Sequence, residues 1–340
     1  MLCDVIANVD ELTHDEWLDL RSTGIGGSDA GAIFGSSAYA SQFSLWAEKS
    51  GRVERINETN EAMEWGNLLE RVVAEKFAKE YDVAVVEWPV MLRSKAHSFM
   101  LANLDFLIVK SSFEYPKGRV TKDLTFDPSK VEIDSILEIK TTGIVGRGNA
   151  RGWEDNFIPR NYELQGLHYS CVTGIENVTF AALVAGEGLI VRDREYSAEE
   201  RFDCIKRETL FWDLVKTGIE PDPDGHTSTL ETIGKMYPES KEGVIVQADD
   251  FILETYTIYT KVKDEVAQGE ARLKELRARL EIAIGEGDTM EYQGNALFTY
   301  KSTKDSESFD QKAFKLEHPE IFAKFMKPKK GHRVFRMKGE

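Results

Sequence analysis

The stretch that most constrains this chain is Ile136-Leu137-Glu138-Ile139-Lys140, which predicts a short β-strand. Successive side chains of a strand point to opposite faces, so Glu138 and Lys140 share one face while Leu137 and Ile139 share the other. A carboxylate suits a hard divalent cation. An ammonium group beside it can stabilise charge on a phosphate or on an activated water. The strand therefore predicts one packed face and one face suited to ion chemistry.

A second acidic residue, Asp105, is an isolated charge in the apolar, strand-like run 101–109. A buried carboxylate without a partner is costly, so Asp105 is expected to contact a partner or a metal ion. An acid on one strand followed by Glu-x-Lys on the next is the PD-(D/E)xK nuclease arrangement. The alternative is an ordinary Glu–Lys pair on a solvated face, because Glu-x-Lys occurs by chance in many charged strands.

Length and composition exclude several classes of protein. The 340 residues can bury a sizeable core. No apolar run approaches membrane-spanning length, and the first residues lack the pattern of a signal peptide. Three widely spaced cysteines indicate reduced thiols in a cytoplasmic protein rather than a disulfide framework or a zinc site. The net charge of −16 argues against a protein that coats nucleic acid non-specifically.

The basic residues are unevenly distributed. The segment 324–339 carries seven basic residues and no acidic residue. This tail is predicted to contact either the backbone of a DNA duplex or an acidic surface of the protein itself, and the sequence slightly favours the second. The seven are Lys324, Lys327, Lys329, Lys330, Arg333, Arg336 and Lys338.

A glycine-rich turn, 24–30, follows a helix predicted over 10–23. Ser28 suits the N-cap of a following helix that starts at Asp29, so the turn can be purely structural. The alternative is an anion pocket formed by helix N–H groups, the Ser28 hydroxyl and Arg21. Asp29 in the first turn opposes that alternative because it would repel an anion.

An amphipathic helix is predicted over 61–81, where apolar residues recur at helical spacing. Glu70 lies beside the apolar stripe by the three-and-four rule. It is therefore either a glutamate at the edge of the stripe or a third acid that points into a site. A later helix, over 161–172, carries Tyr162, Gln165 and Tyr169 on one face and is ended by Gly174.

The strand and helix patterns alternate irregularly, which indicates an α/β or α+β core. Runs 83–93 and 99–109 predict paired strands. The predicted organisation is an α/β or α+β core over 1–216, a linker or crossing segment over 217–243 and a C-terminal extension over 244–340.

The extension contains a heptad-like apolar stripe on one long helix, predicted over 249–284. Such a stripe more commonly packs within the domain that contains the helix. The alternative is that it binds a helix of a partner or of another copy of the chain. The stripe consists of Tyr259, Val262, Val266, Gly269, Leu273, Leu276, Leu280 and Ala283.

Together these pieces resemble the lambda-exonuclease-like, or YqaJ-type, phage recombination nucleases of the PD-(D/E)xK superfamily. The resemblance is an ordered series of motifs over residues 10–216. The series is Trp17-x3-Arg21, then Gly-Gly-Ser28-Asp, Leu45-Trp46-x-Glu-Lys49-x-Gly51, Trp65-Gly66-x3-Glu70, Asp105, Leu137-Glu138-Ile139-Lys140, and Ile158-Pro-x2-Tyr162-x2-Gln165-x2-His168-Tyr-x2-Val-Thr-Gly174.

The resemblance implies a restriction-endonuclease-like core with a central mixed sheet flanked by helices, plus a helical and β C-terminal extension. It also implies two Mg²⁺ ions, for which Mn²⁺ can substitute. By the resemblance, Asp105, Glu138 and the carbonyl of Ile139 would bind the metal ions, and Glu70 would support them. Lys140 would activate the attacking water, and Gln165 would contact the scissile phosphate or the lysine. Arg21 and Ser28 would bind a terminal 5′-phosphate.

The chain departs from the family pattern at the metal aspartate. The family has Pro-Asp-Gly where this chain has Leu104-Asp105-Phe106. The carboxylate is retained but the turn residues are not, so the strand is expected to run on past Asp105 instead of bending there.

The activity implied by the resemblance is that of a Mg²⁺-dependent 5′→3′ exonuclease, a deoxyribonuclease acting on linear double-stranded DNA in the cytoplasm of a bacterial host. It would leave 3′ overhangs for homologous recombination. The implied partners are DNA ends, a single-strand annealing protein and further copies of the chain in a toroidal homo-trimer. The alternatives are an endonuclease or single-strand nuclease on the same fold, or a non-catalytic DNA-end-binding scaffold.

Overall fold

A computed structural model of the protein describes residues 1–54, 61–143, 152–153, 156–185, 188–328 and 331–337. The chain divides into two compact units, Met1–Pro238 and Glu239–Glu340. Among the described residues, no helix is both long and apolar enough to cross a membrane.

The first unit is built on a central mixed sheet and a smaller antiparallel sheet. The central sheet has the strand order β6-β2-β5-β7-β8-β9, and the smaller sheet has the order β1-β3-β4. In the central sheet, β2 is parallel to β6 and β7 is parallel to β8, while the other neighbours are antiparallel. The strands are β1 Cys3–Asn8, β2 Ala84–Glu87, β3 Val90–Ser94, β4 Leu101–Asn103, β5 Phe106–Val109, β6 Arg119–Lys122, β7 Ile133–Thr142, β8 Asn177–Val184 and β9 Gly188–Glu195.

Helices cover both faces of the central sheet. One face packs on the long helix α4 through a core that includes Phe77, Leu137 and Ile139. The other face packs on α5 through a core that includes Leu164 and Ile136. The mixed sheet flanked by helices confirms the predicted fold class. The helices of this unit are α1 His14–Ser22, α2 Gly27–Ile33, α3 Gln42–Lys49, α4 Glu61–Tyr81, α5 Arg160–Thr173, α6 Ala198–Thr217 and α7 Thr227–Met236.

The predicted strand runs 83–93 and 99–109 do pair, but each is broken into two strands. The first break lies at Trp88-Pro89, between β2 and β3, where Pro89 has no N–H to donate to a sheet. The second lies at Leu104-Asp105, between β4 and β5. The expectation that the strand runs on past Asp105 is therefore wrong: β4 belongs to the small sheet and β5 to the central one, and the chain changes sheets at this residue.

The segment 217–243, predicted as a linker, partly belongs to the first unit. It contains α7, which packs against α3, with Ile233 and Met236 lying against the core around Trp46. Ser41 also donates its backbone N–H to Ser228 Oγ at 2.9 Å. These contacts carry the first unit on to Pro238, beyond the predicted boundary at residue 216.

The second unit contains the predicted long helix, and its other elements are short. The predicted helix over 249–284 is α8, which spans Asp250–Ile284 and is capped by Asp249. An antiparallel hairpin and two short helices follow: β10 Thr289–Tyr292, β11 Asn295–Thr299, α9 Gln311–Glu317 and α10 Pro319–Lys324. Three of the seven basic tail residues, Lys329, Lys330 and Lys338, lie outside the described residues.

A buried ionic contact joins three elements of the first unit. His168 on α5 and Glu208 on α6 are both fully buried, and Nδ1 of His168 lies 2.9 Å from both carboxylate oxygens. Nε2 of the same ring lies 2.8 Å from the carbonyl of Leu101 on β4. Because a carbonyl can only accept, and an ionised carboxylate likewise, both ring nitrogens are satisfied only when both donate. Burial alone would lower the pKa of His168, but Glu208 outweighs burial and raises it to about 9.

Removing one partner of this pair should destabilise the first unit strongly. We expect His168→Leu to lower the free energy of unfolding by about 3–5 kcal/mol, because it leaves the Glu208 carboxylate buried and uncompensated. The double variant His168→Leu/Glu208→Leu should recover most of that loss. Urea unfolding followed by tryptophan fluorescence measures it, since all six tryptophans lie in the first unit.

The same pair should make stability depend on pH. The pKa of His168 is higher folded than the value of roughly 6.5 in an unfolded chain. Its contribution is therefore complete below about 6.5 and is lost as the pH rises through about 9. The wild type should lose more stability than the double variant between pH 6.5 and pH 9.5. Parallel losses in the two proteins would show that the ring is not charged.

Candidate active site

The centre of the site is set by the pairing of β5 with β7. Phe106 lies opposite Leu137 in this antiparallel pair, so Asp105, just before Phe106, is brought next to Glu138. Leu137 and Ile139 point into the core beneath α4. Alternation along the strand then directs Glu138 and Lys140 to the opposite face, as the sequence predicts.

Asp105 lies where the ladder between β5 and β7 ends. Its Oδ2 accepts the backbone N–H of Ile139 at 2.9 Å. The side chain of Asp105 thus takes the hydrogen bond that a backbone carbonyl of β5 would accept if the ladder continued. In a strand the N–H and C=O of one residue point to the same edge. The carbonyl of Ile139 therefore faces the edge that Asp105 occupies. The junction between the two sheets thus brings a carboxylate and a backbone carbonyl together.

Glu138 is fully buried and makes polar contacts on one oxygen. Its Oε1 accepts from Lys140 Nζ at 2.5 Å and from Gln165 Nε2 at 2.6 Å. Gln165 comes from α5 and also donates to the hydroxyl of Tyr169 at 3.0 Å. The Lys140 ammonium lies 5.0 Å from the ring centre of Tyr162, a cation–π contact from the same helix. The helix α5 thus holds both functional groups of the Glu-x-Lys strand in place.

Glu70 reaches the same place from α4 and is half-buried. It lines a surface groove of about 710 Å³ together with Leu104, Asp105 and Trp17. Glu70 lies close enough to Asp105 and Glu138 for their charges to affect its pKa, which favours a third acid of the site over a glutamate at the edge of the apolar stripe.

The pKa values of these carboxyl groups are raised, because burial and mutual repulsion disfavour their charged forms in the absence of a cation. Burial, with added repulsion from Asp105, raises the pKa of Glu138 to about 8. Burial, with repulsion from Asp105 and Glu138, raises the pKa of Glu70 to about 8. Burial also raises the pKa of Asp105. The pKa of Lys140 is raised because attraction to Glu138 and Asp105 outweighs its burial. Three carboxyl groups share one ammonium group.

These residues fit a hard divalent cation such as Mg²⁺. The second oxygen of Glu138, Oε2, is buried and has no hydrogen-bond partner among the described residues. Oxygen ligands from two or three carboxylates and a carbonyl are the set that Mg²⁺ uses. Over the described ranges, no three acidic, histidine or cysteine side chains already converge as a finished metal cluster. One oxygen of Asp105 accepts from Ile139 and one oxygen of Glu138 accepts from Lys140 and Gln165, so Oε2 of Glu138 is the oxygen left for an ion.

A second polar cluster lies at the start of α2. Arg21 donates to the Ser28 hydroxyl and lies 3.4 Å from Asp29 Oδ1. Lys49 pairs with Asp29 Oδ2 at 2.9 Å. Burial alone would raise the pKa of Asp29, but Lys49 and Arg21 hold it well below its usual value. Asp29 is thus already compensated, and the cluster of two cations and one anion keeps a positive charge. This removes the objection that Asp29 would repel an anion.

The predicted capping role of Ser28 is wrong. The helix begins at Gly27, its N-cap is Gly26, and Asp29 Oδ2 accepts the N–H of Gly26 at 2.9 Å. Ser28 therefore lies inside the first turn, exposed, with its hydroxyl toward Arg21. The Ser28 hydroxyl does not cap the helix.

The two clusters adjoin each other through Gly27. A Cβ added at Gly27 would lie 2.5 Å from the ring of Tyr169 and 3.0 Å from Cγ of Gln165. Only glycine allows this approach, because real Cβ atoms are not found so close to other atoms. The chain that carries Ser28 therefore packs directly on the helix face that holds Glu138.

Lys49 is a member of the site region to which sequence reasoning assigned no role. It is almost completely buried and also donates to the carbonyl of Arg21 at 3.1 Å. The available signal was its place in the Leu45-Trp46-x-Glu-Lys motif, directly after the Ser28 motif in the series. Its pairing with Asp29 links two motifs and was not visible from either one.

Metal binding to the acid cluster should be visible in thermal stability. Carboxyl groups with raised pKa values keep their protons when folded, whereas in an unfolded chain they ionise above about 4.5. The metal-free protein therefore loses stability as the pH rises from about 5 through about 8. A bound ion offsets this loss. We expect the increase in Tm caused by Mg²⁺, relative to EDTA, to be larger at pH 9 than at pH 6.5.

The matched control for this prediction is Asp105→Asn. Asparagine still accepts the N–H of Ile139 but removes one charged ligand. Most of the Mg²⁺-dependent increase in Tm should disappear in this variant. An undiminished increase would show that the ion stabilises the protein from another place.

Comparison with known proteins gives the family. A family model described as a YqaJ-like viral recombinase domain matches residues 16–176. The uncharacterized protein YqaJ of Bacillus subtilis (strain 168) is 30% identical over 328 residues, which are 95% of this chain and 94% of the relative. Among solved structures, an alkaline exonuclease (LHK-Exo) from Laribacter hongkongensis matches with a TM-score of 0.47 and 16% identity, covering 60% of this chain and 94% of that one. Its complex with dAMP matches with a TM-score of 0.45 and 15% identity over the same shares. Because the similarity to the Bacillus protein extends over nearly the whole of both chains, this chain belongs to the YqaJ-like viral recombinase family.

Proposed function

We propose that this protein is a Mg²⁺-dependent 5′→3′ exonuclease that degrades linear double-stranded DNA and leaves 3′ single-stranded overhangs for homologous recombination. The observation that carries the proposal is the convergence of Glu70, Asp105, Glu138 and Lys140, from three elements, on one polar place beside a groove. Membership of a recombinase family supports the choice of DNA as substrate.

The acidic residues and the lysine have different roles: the acids would bind the metal ions, and the lysine would act on the water and the phosphate. Asp105, Glu138 and the carbonyl of Ile139 would hold two Mg²⁺ ions, with Glu70 supporting them, and Mn²⁺ can replace Mg²⁺. When bound, such ions polarise the scissile phosphate and favour attack by water. Lys140 places a permanent positive charge beside Glu138, where it orients the attacking water and stabilises charge on the phosphate.

Gln165 acts as the positioning residue of this arrangement. Its amide donates to Glu138 and to Tyr169, so it fixes the orientation of the carboxylate that has to bind the ion. If Glu138 turns toward an ion, the amide becomes available to the scissile phosphate. Of the two roles implied by the family resemblance, contact with the scissile phosphate is thus compatible with this position, whereas support of Lys140 would be indirect, through the Glu138 oxygen that both side chains contact.

The cluster at Arg21 and Ser28 supplies a basis for direction. A guanidinium group binds two oxygens of a phosphate at once, and a terminal phosphate carries more charge than an internal one. Because this cluster packs on the α5 face that holds Glu138, a 5′-phosphate bound there would place the end of the strand beside the acids. Digestion would then start at the 5′ end.

Two partners complete the proposal and rest on the family resemblance alone. A single-strand annealing protein would receive the 3′ overhang. A toroidal homo-trimer of the chain would encircle the duplex and favour processive digestion.

The proposal is tested by digesting linear duplex DNA labelled at either end, alongside covalently closed circular DNA. We expect Mg²⁺-dependent loss of the 5′ label first and no cutting of circles. Cutting of circles would indicate an endonuclease, and binding of ends without any loss of label would indicate a scaffold. Asp105→Asn should abolish digestion without unfolding the protein.

The same assay separates catalysis from docking at Lys140. Lys140→Ala should bind the duplex with nearly unchanged affinity and cut it roughly 10²–10³-fold more slowly, the loss typical of one electrostatic contact to a transition state. A parallel loss of binding and cutting would assign Lys140 to docking.

Dependence on a terminal phosphate is the prediction that tests direction. Duplexes with 5′-phosphates should be digested roughly ten- to a hundredfold faster than the same duplexes with 5′-hydroxyls, the range for one or two charge-assisted hydrogen bonds. Arg21→Ala should reduce that difference, whereas Lys110→Ala, which removes a cation from an exposed pair with Glu132, should not. Equal initial rates of the wild type on both ends would show that the cluster does not bind the terminal phosphate.

A further inference from the structure

The long helix α8 exposes its apolar stripe. In this 35-residue helix no residue is buried, which is unusual for a helix with so regular an apolar pattern. Its large apolar residues at heptad spacing are between 40% and 68% exposed: Val262, Val266, Leu273, Leu276 and Leu280. Tyr259 at one end contacts Phe335, which is itself 76% exposed. Such a stripe on a helix of about 50 Å is the seam of a coiled coil.

The charged residues beside the stripe decide which partner it fits. Taking Val266 as position a and Gly269 as position d, position e holds Lys263, Glu270 and Arg277, and position g holds Glu265, Arg272 and Arg279. In a parallel pair of identical helices, each g residue meets the following e residue of the other helix. Glu265 would then face Glu270, and Arg272 would face Arg277. Like charges would oppose each other at both places, on both sides of the pair.

The antiparallel arrangement reverses this result. In it, g residues meet g residues and e residues meet e residues. With the two-fold axis between residues 267 and 268, Glu265 faces Arg272 of the second copy, and Lys263 faces Glu270 of the second copy. Each contact occurs twice, so four opposite-charge pairs flank the centre. Moving the register by one heptad in either direction instead places identical residues opposite each other, such as Arg272 on Arg272 or Glu265 on Glu265.

Packing along the seam favours the same register. It places Val266 opposite Gly269, Leu273 opposite Val262, and Tyr259 opposite Leu276. A larger residue thus meets a smaller one in the first two layers, as close packing of two helices requires. A Cβ added at Gly269 would meet nothing within 4 Å in the chain itself. Glycine destabilises a helix interior, so its place at the centre of the seam is explained by the close approach of a second helix.

The length of the helix gives the same centre independently. The midpoint of Asp250–Ile284 lies at residue 267. An axis between residues 267 and 268 therefore lets the two helices overlap along their entire length. We propose that α8 is a self-association surface that binds α8 of a second copy of this chain as an antiparallel coiled coil. The inference concerns the second unit only and does not depend on the nuclease activity.

The experiment measures the mass of the full-length protein by sedimentation equilibrium at micromolar concentrations. Glu265→Arg and Arg272→Glu should each weaken association roughly tenfold or more, because each makes two like-charge pairs in the antiparallel seam. Mixed in equal amounts, the two variants should associate as the wild type does, because every pair across the seam is then of opposite charge. At concentrations where the wild type is saturated, its mass should be at least twice that of either variant alone.

Three results would overturn the inference. A wild type with the mass of the single variants would show that α8 does not associate. Single variants that associate more tightly than the wild type would indicate a parallel pair, in which each substitution removes a like-charge contact. A mixture that stays as weakly associated as its components would show that Glu265 and Arg272 do not face each other. Circular dichroism of each variant controls for loss of the helix itself.

Discussion

Three carboxyl groups, from Glu70, Asp105 and Glu138, lie close together in a partly buried place with one ammonium group, that of Lys140. Burial and mutual repulsion raise the pKa values of Glu70 and Glu138 to about 8, and Lys140 alone does not balance them. A cluster of this kind destabilises a fold unless protons or a cation neutralise it. The sheet junction and α5 keep these groups close together although their burial and repulsion destabilise the fold.

The sheet junction and α5 hold the cluster in different ways. The change of sheet at Asp105 ends the ladder between β5 and β7, so the edge of β7 at Ile139 meets a carboxylate rather than a neighbouring strand. On the other face, α5 supplies Gln165 to Glu138 and the ring of Tyr162 to Lys140. The same helix receives the close approach of Gly27, which couples the Arg21 cluster to the acids. The contacts that pack α5 against the sheet and against Gly27 are therefore also the contacts that hold the polar side chains of the site in position.

Local periodicity was sufficient to predict the parts of the site that lie on regular elements. Alternation along a strand placed Glu138 and Lys140 on one face, and the apolar surroundings of Asp105 marked it as a residue in need of a partner. What the sequence could not supply were contacts between distant segments. The break at Leu104-Asp105 depends on two sheets competing for one run of residues, and the Lys49–Asp29 pair depends on the packing of α3 against α2. The helix α7 was missed because buried threonines, such as Thr229, take apolar positions in a polar segment.

We propose that Asp105, Glu138 and the carbonyl of Ile139 together bind the two divalent cations. A crystal structure of the protein with Mn²⁺, with the ion located by its anomalous scattering, tests this most directly. We expect anomalous peaks in contact with oxygens of Asp105, Glu138 and Ile139, and their loss in Asp105→Asn. Full occupancy of Mn²⁺ elsewhere on the protein, with no peak between these three groups, would contradict it.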